Sequence, residues 1–90
     1  MTDVRIIWDL ADDSDGNVQH ITGHGITIEE VEEVLLDRDS EDTISRSTGR
    51  PITFGYTASG RYLAVVWEHI ADDPLTIYPI TAYDAPERRR

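Results

Sequence analysis

The sequence predicts a single α+β domain: an N-terminal strand, one short and one longer helix, and an antiparallel meander of four strands carrying both helices on one face. Three observations lead to it. Val4-Arg5-Ile6-Ile7-Trp8 is β-branched and aromatic, the composition of a strand. Between Thr27 and Asp37 the apolar residues fall at helical spacing. Beyond residue 42 they alternate with polar ones between short turns, the pattern of paired strands. The 90 residues fit one domain with a modest core, and residues 84–90 read as a short flexible tail.

Each element has a local reason. Asp9, Asp12, Asp13 and Asp15 read as a solvated turn leading into a helix. Asn17 to His24 allows one or two helical turns, closed by Gly25 in a left-handed conformation. Thr27-Ile28-Glu29-Glu30 is a capping box: the Thr27 hydroxyl accepts from the Glu30 amide while the Glu30 carboxylate accepts from the Thr27 amide. Ile28, Val31, Val34 and Leu35 form the apolar stripe of the helix that follows. Glu29, Glu30, Glu32 and Glu33 lie between them, near the end where the helix dipole favours negative charge. Thr43 to Ser47 is polar and suits a sheet edge. Thr48-Gly49-Arg50 turns the chain into Pro51 to Thr57, where Ile52, Phe54 and Tyr56 alternate with Thr53, Gly55 and Thr57. Arg61 to His69 is the most apolar run and predicts the central strand, with Leu63, Val65 and Trp67 on one face and Tyr62, Ala64 and Val66 on the other. Leu75 to Tyr83 is the last strand. Pro79 has no N–H to give a ladder, which predicts an edge or a bulge there. Trp8, Phe54 and Trp67 are expected in the core.

The charges are unevenly placed. The net charge is −10, from eight arginines and no lysine against eighteen carboxylates, which argues against a general binder of nucleic acid or anionic membrane. Residues 9–42 hold twelve acids and one arginine, Arg38, whereas residues 43–67 hold Arg46, Arg50 and Arg61 and no acid. Such a local patch can hold an anion that the net charge repels at distance, and arginine suits bidentate phosphate recognition. The absence of cysteine excludes disulfides, thiolate metal sites and a cysteine nucleophile. No stretch at the start has signal-peptide length, and no window approaches the roughly 18 apolar residues of a membrane span. A soluble, cytoplasmic protein without membrane attachment is expected.

His20 and His24 are four apart, a spacing that metal sites use on helices. No third ligand follows, and Gly23 and Gly25 interrupt the helix, so His24 is expected to cap or pack. Neither a metal nor a cofactor is expected. Tyr83, at the end of the last strand, is a candidate proton donor or phosphate contact.

Taken in order, Ile7-Trp8-Asp9, His24-Gly25-Ile26-Thr27 leading into Glu29-Glu30, Gly55, and Gly60-Arg61-Tyr62-Leu63 resemble the BrnT-type toxins, bacterial proteins related in fold to the RelE ribonucleases. The resemblance covers residues 6–83. It implies two helices packed on an antiparallel sheet, metal-independent cleavage of RNA, and neutralisation by a cognate antitoxin. By position it implies a phosphate site with Arg50 and Arg61; to these the chain's own residues add Tyr83 as a third catalytic candidate and Arg46 as a candidate RNA-phosphate contact. Arginines there would hold the scissile phosphate and stabilise its developing charge, and a general base would have to activate the ribose 2′-hydroxyl. The chain differs from the family in its acidity and in carrying Tyr83 where the family's last strand usually has arginine. The alternative is a protein-interaction module without catalysis, its acidic helical face binding a basic partner. The oligomeric state is not legible in the sequence.

Overall fold

In the computed structural model, which describes residues 4–86, the chain runs through β1 (Val4–Ile6), α1 (Asn17–Thr22), α2 (Ile28–Leu36), β2 (Glu41–Ile44), β3 (Pro51–Tyr56), β4 (Tyr62–Ala71) and β5 (Leu75–Asp84). The strands form one open sheet in the order β1-β5-β4-β3-β2. β1 lies parallel to β5, and the other neighbours are antiparallel. The fold is α+β, with two helices and a mixed sheet of five strands, so the N-terminal strand is a member of the sheet.

Local chemistry accounts for the boundaries. The capping box of Thr27 and Glu30 forms, at 3.1 and 3.0 Å, and starts α2. The polar edge strand occupies Glu41–Ile44 rather than Thr43–Ser47. Ser45 to Arg50 instead makes the hairpin turn, in which hydroxyls of Ser45 and Thr48 accept from backbone amides and Gly49 takes φ +75°. Pro79 sits beyond the last residue of β5 paired to β1, and beside it the β4–β5 register slips between Val66 and Trp67. Its missing N–H is therefore not needed by a neighbour. At the other end β5 continues to Asp84, and the Ala85 amide donates to the Tyr62 carbonyl at 3.0 Å. The first residues of the expected tail are thus paired, while residues 87–90 lie outside the described ones.

The core lies between the helices and one sheet face, where Ile21, Ile26, Val31 and Val34 meet Leu63, Val65 and Ala82. Trp8 and Trp67 pack against it with their indole N–H groups satisfied, by Glu32 at 3.0 Å and Thr53 at 2.8 Å. Phe54 does not join them. It pairs with Ala64 on the opposite face, because strand alternation turns Thr53 and Gly55 toward the helices. Gly55 lets α2 approach: a Cβ there would come within 2.9 Å of Ser40 Cβ and 3.2 Å of Val34 Cγ1.

One polar knot fixes the N-terminal half. Asn17, buried at the start of α1, donates through Nδ2 to the carbonyls of Ile7 (3.0 Å) and Pro79 (2.9 Å) and accepts from the Asp9 amide (2.9 Å). Asp9 returns the contact, accepting from the Asn17 amide at 2.9 Å and from the Tyr78 hydroxyl. Asp9 is therefore an anchor rather than part of a solvated turn. The Tyr78 and Asn17 donors hold its carboxyl below the usual carboxylate range, and the Asp9 acceptor pushes the Tyr78 phenol up to about 12. Replacing Asn17 with Ala leaves these groups unpaired. A loss of about 3 kcal/mol is expected, read from the denaturant midpoint at unchanged slope. In an alkaline titration followed at 295 nm, Tyr78 is expected to ionise near 12, and Asp9→Asn to return it toward 10.

Candidate functional site

The arginines named by the sequence occupy two ends of the sheet. Arg46 and Arg50 lie at the β2–β3 turn, exposed and without an ion pair among the described residues. Arg61 precedes β4, which runs antiparallel to β3, so about six residues of strand, roughly 20 Å, separate Arg50 from Arg61. They also differ in face. Arg50 alternates with Ile52, Phe54 and Tyr56 away from the helices, while Arg61 reaches the helical side.

Arg61 is held there by several partners at once. Its Nε and Nη2 donate to the two oxygens of Asp84 at 2.7 and 2.9 Å, and its Nη1 to the Gly25 carbonyl at 2.9 Å and to Glu30 at 3.1 Å. The bidentate Asp84 pair holds the guanidinium charged and the Asp84 carboxyl below its ordinary value. Arg61 thus joins three parts of the chain: the loop before α2, the first turn of α2, and the end of β5. Its fork points at protein acceptors, which makes it a clamp in this arrangement.

Tyr83 lies two residues from Ala85 on β5 and pairs with Ala64, which pairs in turn with Phe54. Tyr83, Phe54, Tyr56 and Tyr62 share the face that no described element covers. Tyr62 lies 4.7 Å from Tyr56 and 6.2 Å from Phe54 between ring centroids. Ala64 is wholly buried although it faces away from the helices, because larger side chains on β3 and β5 close over it. Tyr56 and Tyr83 remain 46% and 41% exposed. Glu41 and Thr43 on β2 continue the same face beside Phe54 and Ile52.

Two side chains given no functional role above converge on the end of β5. Among the described residues β1 pairs with Leu75 to Ile77, no strand pairs with the later part of β5 on that edge, and α1 lies against it. His24 Nδ1 donates to the Ala82 carbonyl at 2.8 Å, and His20 Nε2 meets Thr81 Oγ1 at 3.1 Å. The two rings are 4.8 Å apart. His24 does cap, as expected, but it caps a strand edge rather than a helix. The four-residue spacing of the pair was the legible signal; its placement beside β5 was not.

The helix carboxylates are also spoken for. Glu30 caps α2 and binds Arg61, Glu32 accepts from the Trp8 indole, and Glu33 accepts from the Ala58 amide at 3.0 Å. Glu29 alone of the four makes no such contact among the described residues. No group of three or more His, Asp or Glu side chains among the described residues is placed to hold a metal ion, and no helix there is long and apolar enough to cross a membrane.

Comparison of the chain with protein-family models, with curated proteins and with solved structures finds no match.

Two outcomes follow from the clamp. Arg61→Ala is expected to lower stability by about 1 kcal/mol, since Asp84 is largely exposed, which for a domain of this size is about 4–8 °C in Tm. Because Arg61 depresses the folded-state pKa of Asp84, the pair stabilises above the unfolded value near 3.8 and stops doing so as pH falls below it. The Tm difference between wild type and Asp84→Asn should therefore be widest near neutrality and shrink toward pH 2.

Proposed function

We propose that this chain is a toxin-like protein of a toxin–antitoxin system, of BrnT/RelE-like fold, and that it acts on RNA as a metal-independent ribonuclease through the uncovered face of its sheet. The observation that carries this reading is the shared face of Arg50 and the aromatic group Phe54, Tyr56, Tyr62 and Tyr83. Aromatic rings on a sheet stack single-stranded bases irrespective of sequence, at about 1–3 kcal/mol per base. Arg50, with Arg46 in the adjoining turn, supplies phosphate contacts at one end of that face. By strand geometry Arg50 and Tyr83 lie on the order of 16 Å apart, too far to share one phosphate and suited to successive nucleotides of one strand. In this reading Arg61 serves by positioning, through Asp84, Glu30 and Gly25. The element order, a strand and two helices followed by four strands, also fits the fold that the resemblance implies.

The test is direct binding and cleavage of single-stranded RNA, with growth on induced expression as a second readout. Replacing both Arg46 and Arg50 with Ala should weaken RNA binding and reduce the slope of log affinity against log salt by about 1.4. Unchanged affinity and slope, or harmless expression with RNA left intact, sink the proposal.

A second reading is favoured by the acids that remain exposed, among them Asp12, Asp15, Glu29, Asp37 and Asp39. They suit a basic protein partner of the antitoxin kind, docking without catalysis. Such a complex should co-purify at low salt and separate at high salt, because exposed charges are screened. Persistence in high salt counts against it.

A further inference from the structure

The ribonuclease reading lacks one part: a group to take the proton from the ribose 2′-hydroxyl. We infer that His20 and His24 are the acid–base pair of that reaction, an inference that rests on the ribonuclease reading. His24 Nδ1 lies 2.8 Å from the Ala82 carbonyl oxygen. A carbonyl only accepts, so His24 Nδ1 carries the proton, and in the neutral ring Nε2 is left with a free lone pair. The strand edge therefore sets both the tautomer and the orientation of this imidazole. Arg61 secures the adjoining backbone through the Gly25 carbonyl, one residue beyond His24.

His20 stands one helical turn earlier, its ring 4.8 Å from that of His24 and its Nε2 on the Thr81 hydroxyl. Both residues are exposed, so a substrate can reach them. By strand alternation Thr81 and Tyr83 project to the uncovered face, with Cα atoms about 7 Å apart. The pair thus borders the aromatic surface on which bases would stack. A ribose placed over Tyr83 brings its phosphate to the edge where the histidines stand.

The chemistry balances without metal or cofactor. One imidazole, unprotonated, takes the proton of the 2′-hydroxyl as the 2′-oxygen attacks phosphorus. The other, protonated, gives its proton to the departing 5′-oxygen as the phosphorus–oxygen bond breaks. The products are a 2′,3′-cyclic phosphate and a 5′-hydroxyl, and the two histidines have exchanged protonation states. The free Nε2 assigns the base to His24 and the acid to His20.

The experiment uses the full chain with a single-stranded RNA, and His24→Asn and His20→Gln as variants. The asparagine amide keeps a donor for the Ala82 carbonyl, and unchanged melting shows that each variant folds. Expected are a cyclic phosphate end on the wild-type product and at least a hundredfold slower cleavage by either variant. In the imidazole proton spectrum, uridine 3′-monophosphate should move the signals of His20 and His24. His69, bound to Asp72 at the other end of the sheet, should stay still. Cleavage at the wild-type rate by either folded variant, or a product with a 3′-hydroxyl and 5′-phosphate, overturns the assignment while leaving a ribonuclease. Wild-type protein that leaves RNA intact overturns the ribonuclease reading and this assignment together.

Discussion

The buried amide of Asn17 is the contact on which the rest of the architecture depends. It joins the end of β1, the Asp9 turn, the start of α1 and the middle of β5. Each of those backbone groups would otherwise be an unsatisfied donor or acceptor inside a small domain with little stability to spare. Asn17 also sets the direction in which α1 leaves the sheet, and that direction lays His20 and His24 along the open edge of β5. Gly16 belongs to the same constraint, because a Cβ at that position would lie 2.7 Å from Asp9 Cβ.

The acids that make the chain so negative do two kinds of work. Asp9, Glu30, Glu32, Glu33 and Asp84 each receive a donor from another part of the chain. Their charges are matched locally by backbone dipoles, an indole, a phenol or Arg61, so they act as fasteners between layers. The remaining exposed acids set the far field, which repels polyanions and attracts basic proteins. A surface that stacks bases and an acidic far field are compatible only if the polar contacts that hold a phosphate are short-ranged and the aromatic contribution is large. The uncovered face, with four rings and Arg50, has that composition.

The candidate residues divide by their place on the sheet. Arg46 and Arg50 stand at the hairpin turn, where no carboxylate among the described residues pairs with them. Arg61 stands at the other end, bound by protein groups, while Tyr83, His20 and His24 line the β5 side of the open face. Hydrogen-bond saturation separates the roles: a guanidinium already filled by Asp84, Glu30 and Gly25 positions its neighbours, and a free one can meet a ligand. The resemblance drew Arg50 and Arg61 into one site because it works by sequence position, which carries no information on distance across an antiparallel pair.

By itself the sequence determined what depends on neighbours along the chain. The capping box of α2, the two faces of β4, the irregularity at Pro79 and the α+β class follow from side-chain period, turn chemistry and a missing N–H. Tertiary structure alone decided the rest. β1 joins β5 in parallel through a crossover that no local pattern specifies, and Phe54 faces away from the helices because Gly55 must face them. The helix carboxylates became internal partners, and a histidine pair with no third ligand found a strand edge. These outcomes depend on which elements meet, and that is set by the simultaneous burial of apolar faces and pairing of the polar groups between them.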